Sequence, residues 1–271
     1  MAPRPGHADL AGILKYQRDD IRDILERASA RETAMRVAVG AVFKQLLALF
    51  DIKIVSQVIN IGGAALDCPN KPAAGYGDVC RKLKESALGC LDPATEERMK
   101  EKIQIAAAAG DSLGGSFNVE VFNVLPGLGS HVQWDRRLDS RIAGALMSIP
   151  AVKGVEIGEG FNFANLPGSQ AHDAIYYDPE RGYFRTSNRA GGIEGGISNG
   201  ETIIAKAVLK PIPTLMKPLA SVDIHTHRPL GANTERSDVC AVTAAAVVGE
   251  AMMAFVVADE LMITLRIIYG G

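Results

Sequence analysis

The sequence predicts an α+β fold in which sheets cover long helices. Three observations carry that expectation. Stretches with the period of a strand and stretches with the period of a helix are mixed along the chain, without the regular alternation of a doubly wound α/β protein. Residues 239–258 form a nearly uncharged run that suits a helix buried in a core or a subunit interface. The composition, 47% hydrophobic and 22% charged over 271 residues, supports a large core. Nothing marks an interdomain linker, so residues 1–271 read as one domain.

Residues 1–22 are basic and polar with little apolar periodicity. Ser29 and Glu32 then have the spacing of a capping box, and Met35, Val39, Val42, Leu46 and Leu49 follow at helical intervals over residues 30–50. Residues 52–61 are rich in β-branched side chains and read as a strand ended by Gly62 and Gly63. Residues 64–91, with proline, glycine and Cys68, Cys80 and Cys90, read as an irregular surface insertion or lid. Asp92 and Pro93 look like an N-cap with proline at the first helical position, opening a helix that stops at Gly110. A strand over 117–125, a helix over 135–149 and a strand over 152–157 come next. Strands near 183–186 and 202–209 flank a glycine-rich segment, residues 221–225 suggest another strand, and the final helix begins near Asp238.

The formal net charge of −2 and 6% aromatic content argue against a nucleic-acid surface. The run 239–258 is long enough to span a bilayer, but Glu250 inside it would be costly in lipid, so no membrane partner is expected. The four cysteines match no zinc pattern and read as free thiols of a cytoplasmic protein, a local bridge among the first three being the lesser alternative. His225 and His227 could share one face of a strand, but no further metal ligands stand at usable spacing, and no metal is expected.

Basic residues gather where anions could bind. Arg4, His7, Arg27, Arg31 and Arg36 crowd the beginning, and Arg185, Arg189, Lys210 and Arg236 lie around the glycine-rich half. Guanidinium groups take carboxylates and phosphates bidentately. Ser29 at a helix start, between Arg27 and Arg31, is a candidate anion site, although a capped helix with solvated arginines explains it as well. The segment Gly191-Gly192-Ile193-Glu194-Gly195-Gly196 permits close backbone approach to a ligand, and a tight turn explains it equally. These residues point to a phosphorylated anion and not yet to a reaction.

Taken in order, the motifs are more specific. They are RPGHAD (4–9), SARETAMRVA (29–38), GDSLGG (110–115), PGLG (126–129), LMSIPAVKGVEIGEGF (146–161), GSQAHD (168–173), SNRAGGIEGGISNGE (187–201), KPIPT (210–214) and RSDVCAV (236–242). Together they resemble the chorismate synthase family over nearly the whole chain. The resemblance implies a β-α-β sandwich, a homotetramer, and conversion of 5-enolpyruvylshikimate 3-phosphate to chorismate and phosphate by anti-1,4-elimination. It implies reduced FMN as cofactor, with NADPH as indirect reductant in some members. By position, Arg4, Arg31 and Arg236 would hold substrate, His7 would protonate the reduced flavin, and Asp238 would relay the proton lost from substrate. Arg27, Ala28, Ser29, Pro150, Ala151, Gly195, Lys210, Pro211, Ile212, Pro213, Thr214 and Arg236 would line the cofactor.

The family's Gly-Glu-Ser-His-Gly motif, whose histidine is thought to protonate the departing phosphate, is not in this sequence. The chain is therefore expected to be N-terminally truncated, to bind FMN weakly and to turn over little by itself. A flavin-binding subunit without turnover is the alternative.

Overall fold

The computed structural model describes residues 1–67 and 75–269. Its elements are α1 (Asp9–Tyr16), α2 (Arg22–Ala28), α3 (Thr33–Ala48), β1 (Lys53–Ile61), β2 (Ala64–Ala65), α4 (Tyr76–Glu85), α5 (Pro93–Ala108), β3 (Gly115–Phe122), α6 (Leu138–Met147), β4 (Val152–Ile157), α7 (Gly168–Ala171), β5 (Ile175–Asp178), β6 (Gly182–Arg185), β7 (Ile193–Glu194), β8 (Ile197–Ser198), β9 (Ile203–Leu209), β10 (Ala220–Val222), β11 (Pro229–Gly231) and α8 (Val242–Tyr269). Five strands form an antiparallel sheet in the order β2-β1-β3-β9-β4, and the others pair as three two-stranded ribbons.

The core lies between one face of the sheet and α8. Phe117, Val119, Val121, Ile203, Ala205 and Ala207 point inward at alternating positions, and all are buried. Gly249 lets α8 approach, since a Cβ there would sit 2.5 Å from the Phe117 ring. On the opposite side of α8, α3 crosses at Gly40 and Ala251, and the Phe43 and Phe255 rings meet edge to face at 5.5 Å. The apolar run around Val242–Ile267 has a membrane helix's length and composition, yet 61% of it is buried against the rest of the chain. Glu250 is accounted for inside it: its carboxylate accepts from Ser56 N at 2.8 Å and Ser56 Oγ at 2.7 Å and pairs with Lys44. The α+β class holds. Among the described residues one large sheet covers the helical layer, while Met35 and Val42 of α3, and Leu49 just after it, stay exposed on the other side.

Of the two expected helix caps, one held and one did not: Ser29 accepts from Arg31 N in a short turn, α3 begins at Thr33 without a side-chain cap, and Glu32 pairs with Arg36, so Ser29 and Glu32 form no capping box. Asp92 Oδ2 accepts from Thr95 N at 2.8 Å and opens α5 as its N-cap. Several expectations are corrected. Residues 1–22 contain α1, whose apolar side chains Leu10 and Leu14 are exposed, so no buried stripe announced it. The segment 64–91 is not simply irregular: α4 lies within it and packs Val79 against Val55 and Phe122, while residues 68–74, with Cys68, lie outside the described residues. Cys80, Cys90 and Cys240 are free, and burial pushes the Cys90 and Cys240 thiols up. The strand expected at 221–225 ends at Val222, where Asp223 Oδ1 accepts from the backbone N–H of His225 and Thr226 and turns the chain. His225 and His227 therefore share a turn, not a strand face. The last helix begins at Val242, four residues after Asp238, which therefore lies outside it.

The sheet's other face is polar and also buried. Gln57, Asn118, Glu120 and Lys206 alternate outward there, each below 10% exposed. Burial pushes the Glu120 carboxyl up, only partly offset by Gln57 Nε2 donating to its Oε1 at 3.3 Å, while Gln57 Oε1 has no partner. A carboxyl raised on folding contributes stability below the unfolded value and loses it as pH rises through the folded value. Glu120→Gln removes that penalty and can supply the N–H that Gln57 Oε1 lacks. It should stabilise by about 1 kcal/mol at neutral pH, or roughly 2–4 °C in Tm. Thermal melts of both proteins should converge as the pH is lowered towards 4; a Tm that falls at neutral pH contradicts this account.

Candidate active site

The beginning of the chain is held between the segment after β9 and the β10–β11 ribbon. Ser221 Oγ donates to the Pro3 carbonyl at 2.6 Å, and Asn233 N donates to that of Ala2 at 3.3 Å. A tight turn, with Gly6 at φ +79° and His7 N donating to the Arg4 carbonyl, folds Arg4, His7 and Asp9 onto one another. Asp9 is 1% exposed and Arg4 6%. Arg4 donates to Asp9 three times: from its backbone N at 3.1 Å, from Nε at 3.0 Å and from Nη2 at 3.2 Å. His7 Nδ1 lies 2.5 Å from Asp9 Oδ1. Burial alone would raise the Asp9 carboxyl, but the bonds from His7 and Arg4 outweigh it and hold the group well below the usual carboxylate range. Asp9 is therefore an anion throughout the neutral range.

The KPIPT segment closes over this cluster. Arg4 Nη1 donates to Thr214 Oγ1 at 2.9 Å, and Lys210 Nζ donates to the Gly6 carbonyl. Ser112 Oγ of the GDSLGG motif donates to the Ile212 carbonyl at 2.6 Å. Lys210 N donates to the Ala151 carbonyl at 3.0 Å, and Ala151 is held left-handed at φ +70°. Burial lowers the Lys210 ammonium, and Lys153 beside it lowers it further. An anion bound near Lys210 would relieve this repulsion and strengthen its charge. The donor set is thus chemically fitted to a phosphorylated ligand.

The remaining expected residues divide. Glu235 Oε2 lies 3.7 Å from Arg4 Nη1, which brings the segment carrying Arg236 and Asp238 to the cluster; both of those side chains are exposed. Arg27, Ala28 and Ser29 lie at the α2–α3 junction, where Arg27 lines a groove of about 490 Å³ with Met35, Arg36 and Phe255. Arg36 Nη1 donates to Ser148 Oγ at 2.8 Å, which ties that groove to the Pro150–Ala151 turn. Ser29 Oγ accepts from Arg31 N at 3.5 Å, and the Arg31 side chain is exposed and paired with Glu26 at 3.1 Å. Gly195 is not brought to this cluster. It lies in the β7–β8 turn at the opposite end of α6 from Pro150, where the Gly196 carbonyl accepts from Leu138 N.

Much of the glycine-rich segment serves packing. Gly158 and Gly191 approach so closely that a Cβ on Gly191 would lie 2.4 Å from Gly158 N. Asp173 of GSQAHD anchors the segment, accepting from Ser187 Oγ at 2.5 Å, Arg189 N at 3.0 Å and Ala190 N at 2.9 Å. Asp9 was missed as a site residue. Its signal was available two positions after the histidine in RPGHAD.

A sequence profile described as chorismate synthase matches residues 1–262. The chorismate synthase of Desulforamulus reducens is 57% identical over 269 residues, covering 99% of this chain and 68% of that protein. That of Pelobacter propionicus is 55% identical over 267 residues, covering 96% and 67%. The chain thus spans about two thirds of the length of these relatives. A crystal structure of chorismate synthase matches the fold with a TM-score of 0.82 at 47% identity, over 95% of this chain and 71% of that one. With the profile, the close relatives and the fold in agreement, the chain belongs to the chorismate synthase family, the lyases that eliminate phosphate from 5-enolpyruvylshikimate 3-phosphate with reduced FMN as cofactor.

Proposed function

We propose that the Arg4–His7–Lys210–Thr214 cluster is where this chain works on the phosphorylated substrate and the flavin. The observation that carries the reading is the buried Arg4–His7–Asp9 arrangement beside Lys210 and Lys153, a preorganised set of donors next to a ring that can move a proton. Reduced FMN bound here would supply an electron transiently to the substrate, whose loss of phosphate and a proton involves no net redox change. The chain's own part is to hold anionic groups with Arg4, Arg31 and Arg236, to keep a proton at His7 for the flavin, and to take up the substrate proton at Asp238. Arg27, Ala28, Ser29, Pro150, Ala151, Gly195 and residues 210–214 would line the cofactor. The separation of Gly195 from the rest supports a site completed between subunits. The homotetramer is proposed on the same ground, together with the exposed apolar side chains of α3. NADPH as indirect reductant and a cytoplasmic location are part of the same reading.

Anaerobic incubation of the chain with photoreduced FMN and 5-enolpyruvylshikimate 3-phosphate tests it. Chorismate and phosphate released in equal amounts, slowly, are expected. Flavin bound without phosphate release would instead support the subunit that binds but does not turn over.

A further inference from the structure

We infer that Asp9 is the positioning residue for His7, fixing the ring with its proton on Nδ1 so that Nε2 is the nitrogen that exchanges a proton with bound ligand. This rests on the reading of His7 as the proton donor and gives Asp9 a specific part in it.

The tautomer follows from acceptor chemistry. An ionised carboxylate has no proton to give, so a ring nitrogen 2.5 Å from Asp9 Oδ1 must be the donor. Asp9 does not depend on His7 for its own place. Arg4 fixes it from the backbone N, Nε and Nη2, and it is 1% exposed. A carboxylate already clamped on one side is a rigid template for the ring on the other. The charged and polar groups around the pair are few. Arg4 Nη2 lies 3.2 Å from His7 Nδ1 and 3.4 Å from Nε2, Thr214 Oγ1 and Glu235 engage the other end of the guanidinium, and Lys210 reaches the Gly6 carbonyl with Lys153 behind it. With Nδ1–H directed at Asp9, Nε2 keeps its lone pair. It can take a proton from water at the partly exposed side of the ring, the His7 side chain being 15% exposed. On delivery the Nε2–H bond breaks, the proton passes to the acceptor atom of the ligand, and the ring returns to its neutral Nδ1–H form with Asp9 still ionised.

Nitrogen-15 NMR of the histidine-labelled chain reads the tautomer without turnover. The His7 ring should show a protonated Nδ1 at neutral pH; a neutral ring protonated at Nε2 overturns the inference. In Asp9→Asn, the Arg4 N and Nε donors both claim the amide oxygen, since they share Oδ2 in the native protein. That leaves the NH2 group facing His7, so the tautomer should invert. In the anaerobic assay kcat should fall by about 10–100-fold, the size typical of groups that orient a working histidine, with KM little changed. A raised KM at unchanged kcat would mean that Asp9 acts only through Arg4, and would refute the role. In a His7→Ala background Asp9→Asn should cost nothing more in kcat; a further loss counts against it. If His7→Ala alone leaves turnover intact, the reading of His7 fails, while the wild-type tautomer still decides whether Asp9 sets the ring.

Discussion

Replacing His7 with alanine is expected to lower the rate of chorismate formation by about 10²–10⁴-fold, the usual weight of a positioned general acid. The loss should fall on kcat, because the surrounding structure does not hang on the ring. Asp9 keeps its three bonds from Arg4, Arg4 keeps Thr214, and the turn at Gly6 keeps its contact with Lys210. Arg4 could not serve for this test: removing it would leave Asp9 buried as an unpaired anion, at a cost of about 3–5 kcal/mol that would confuse folding with chemistry. Single-turnover measurements with reduced FMN at saturating substrate separate the two effects. A variant that binds flavin normally and turns over slowly supports the role. A variant with unchanged rates sinks it.

How much of this was legible from the sequence varied with the kind of signal. The β4 strand was readable because residues 152–157 carry a local pattern, and the start of α5 because the Asp92–Pro93 pair states its own boundary. The motif order gave the family, and with it most of the cluster around Arg4, His7 and Lys210. What failed were features set by distant partners. α1 buries none of its apolar side chains, so no buried stripe announced it. α4 does carry one, with Tyr76, Val79, Cys80 and Leu83 at helical spacing against Val55 and Phe122, but the proline, glycines and cysteines around it hid the pattern. The last helix was expected to begin near Asp238 because the apolar run starts just after it, but the Leu113–Cys240 bridge ties that segment to the chain just before β3 and α8 begins only at Val242. Asp9 stood inside a motif that pointed to its neighbour. Only the closure of the Gly6 turn, seen in three dimensions, makes the carboxylate the centre of the arrangement. Gly195 marks another limit, since a family position carries over by sequence whether or not one subunit brings it to the site.

The second large effect concerns the crossing of α3 and α8. Gly40 lies in the middle of a sixteen-residue helix, where glycine ordinarily costs about 0.5–1 kcal/mol relative to alanine. On propensity alone, Gly40→Ala should stabilise. Packing decides otherwise. A Cβ at Gly40 would lie 2.3 Å from Ala251 Cβ, 2.5 Å from its Cα and 3.2 Å from its carbonyl oxygen. Backbone on both sides leaves no flexible side-chain end to yield, so the helices must separate. Separation would also loosen the Phe43–Phe255 contact and the Lys44–Glu250–Ser56 link that carries the only charge in this part of α8. Overpacking of a close-packed core typically costs 1–3 kcal/mol, and here the obstruction is main chain, so Gly40→Ala should be destabilising by about 2–3 kcal/mol net. Urea titration of the variant measures this directly. Ala251→Gly in the same chain removes the 2.3 Å contact but not the one to Cα, so the double variant should recover part of the loss and not all of it. A Gly40→Ala protein as stable as the original would show that the two helices can part without cost, and that the close crossing is not what holds α3 to the core.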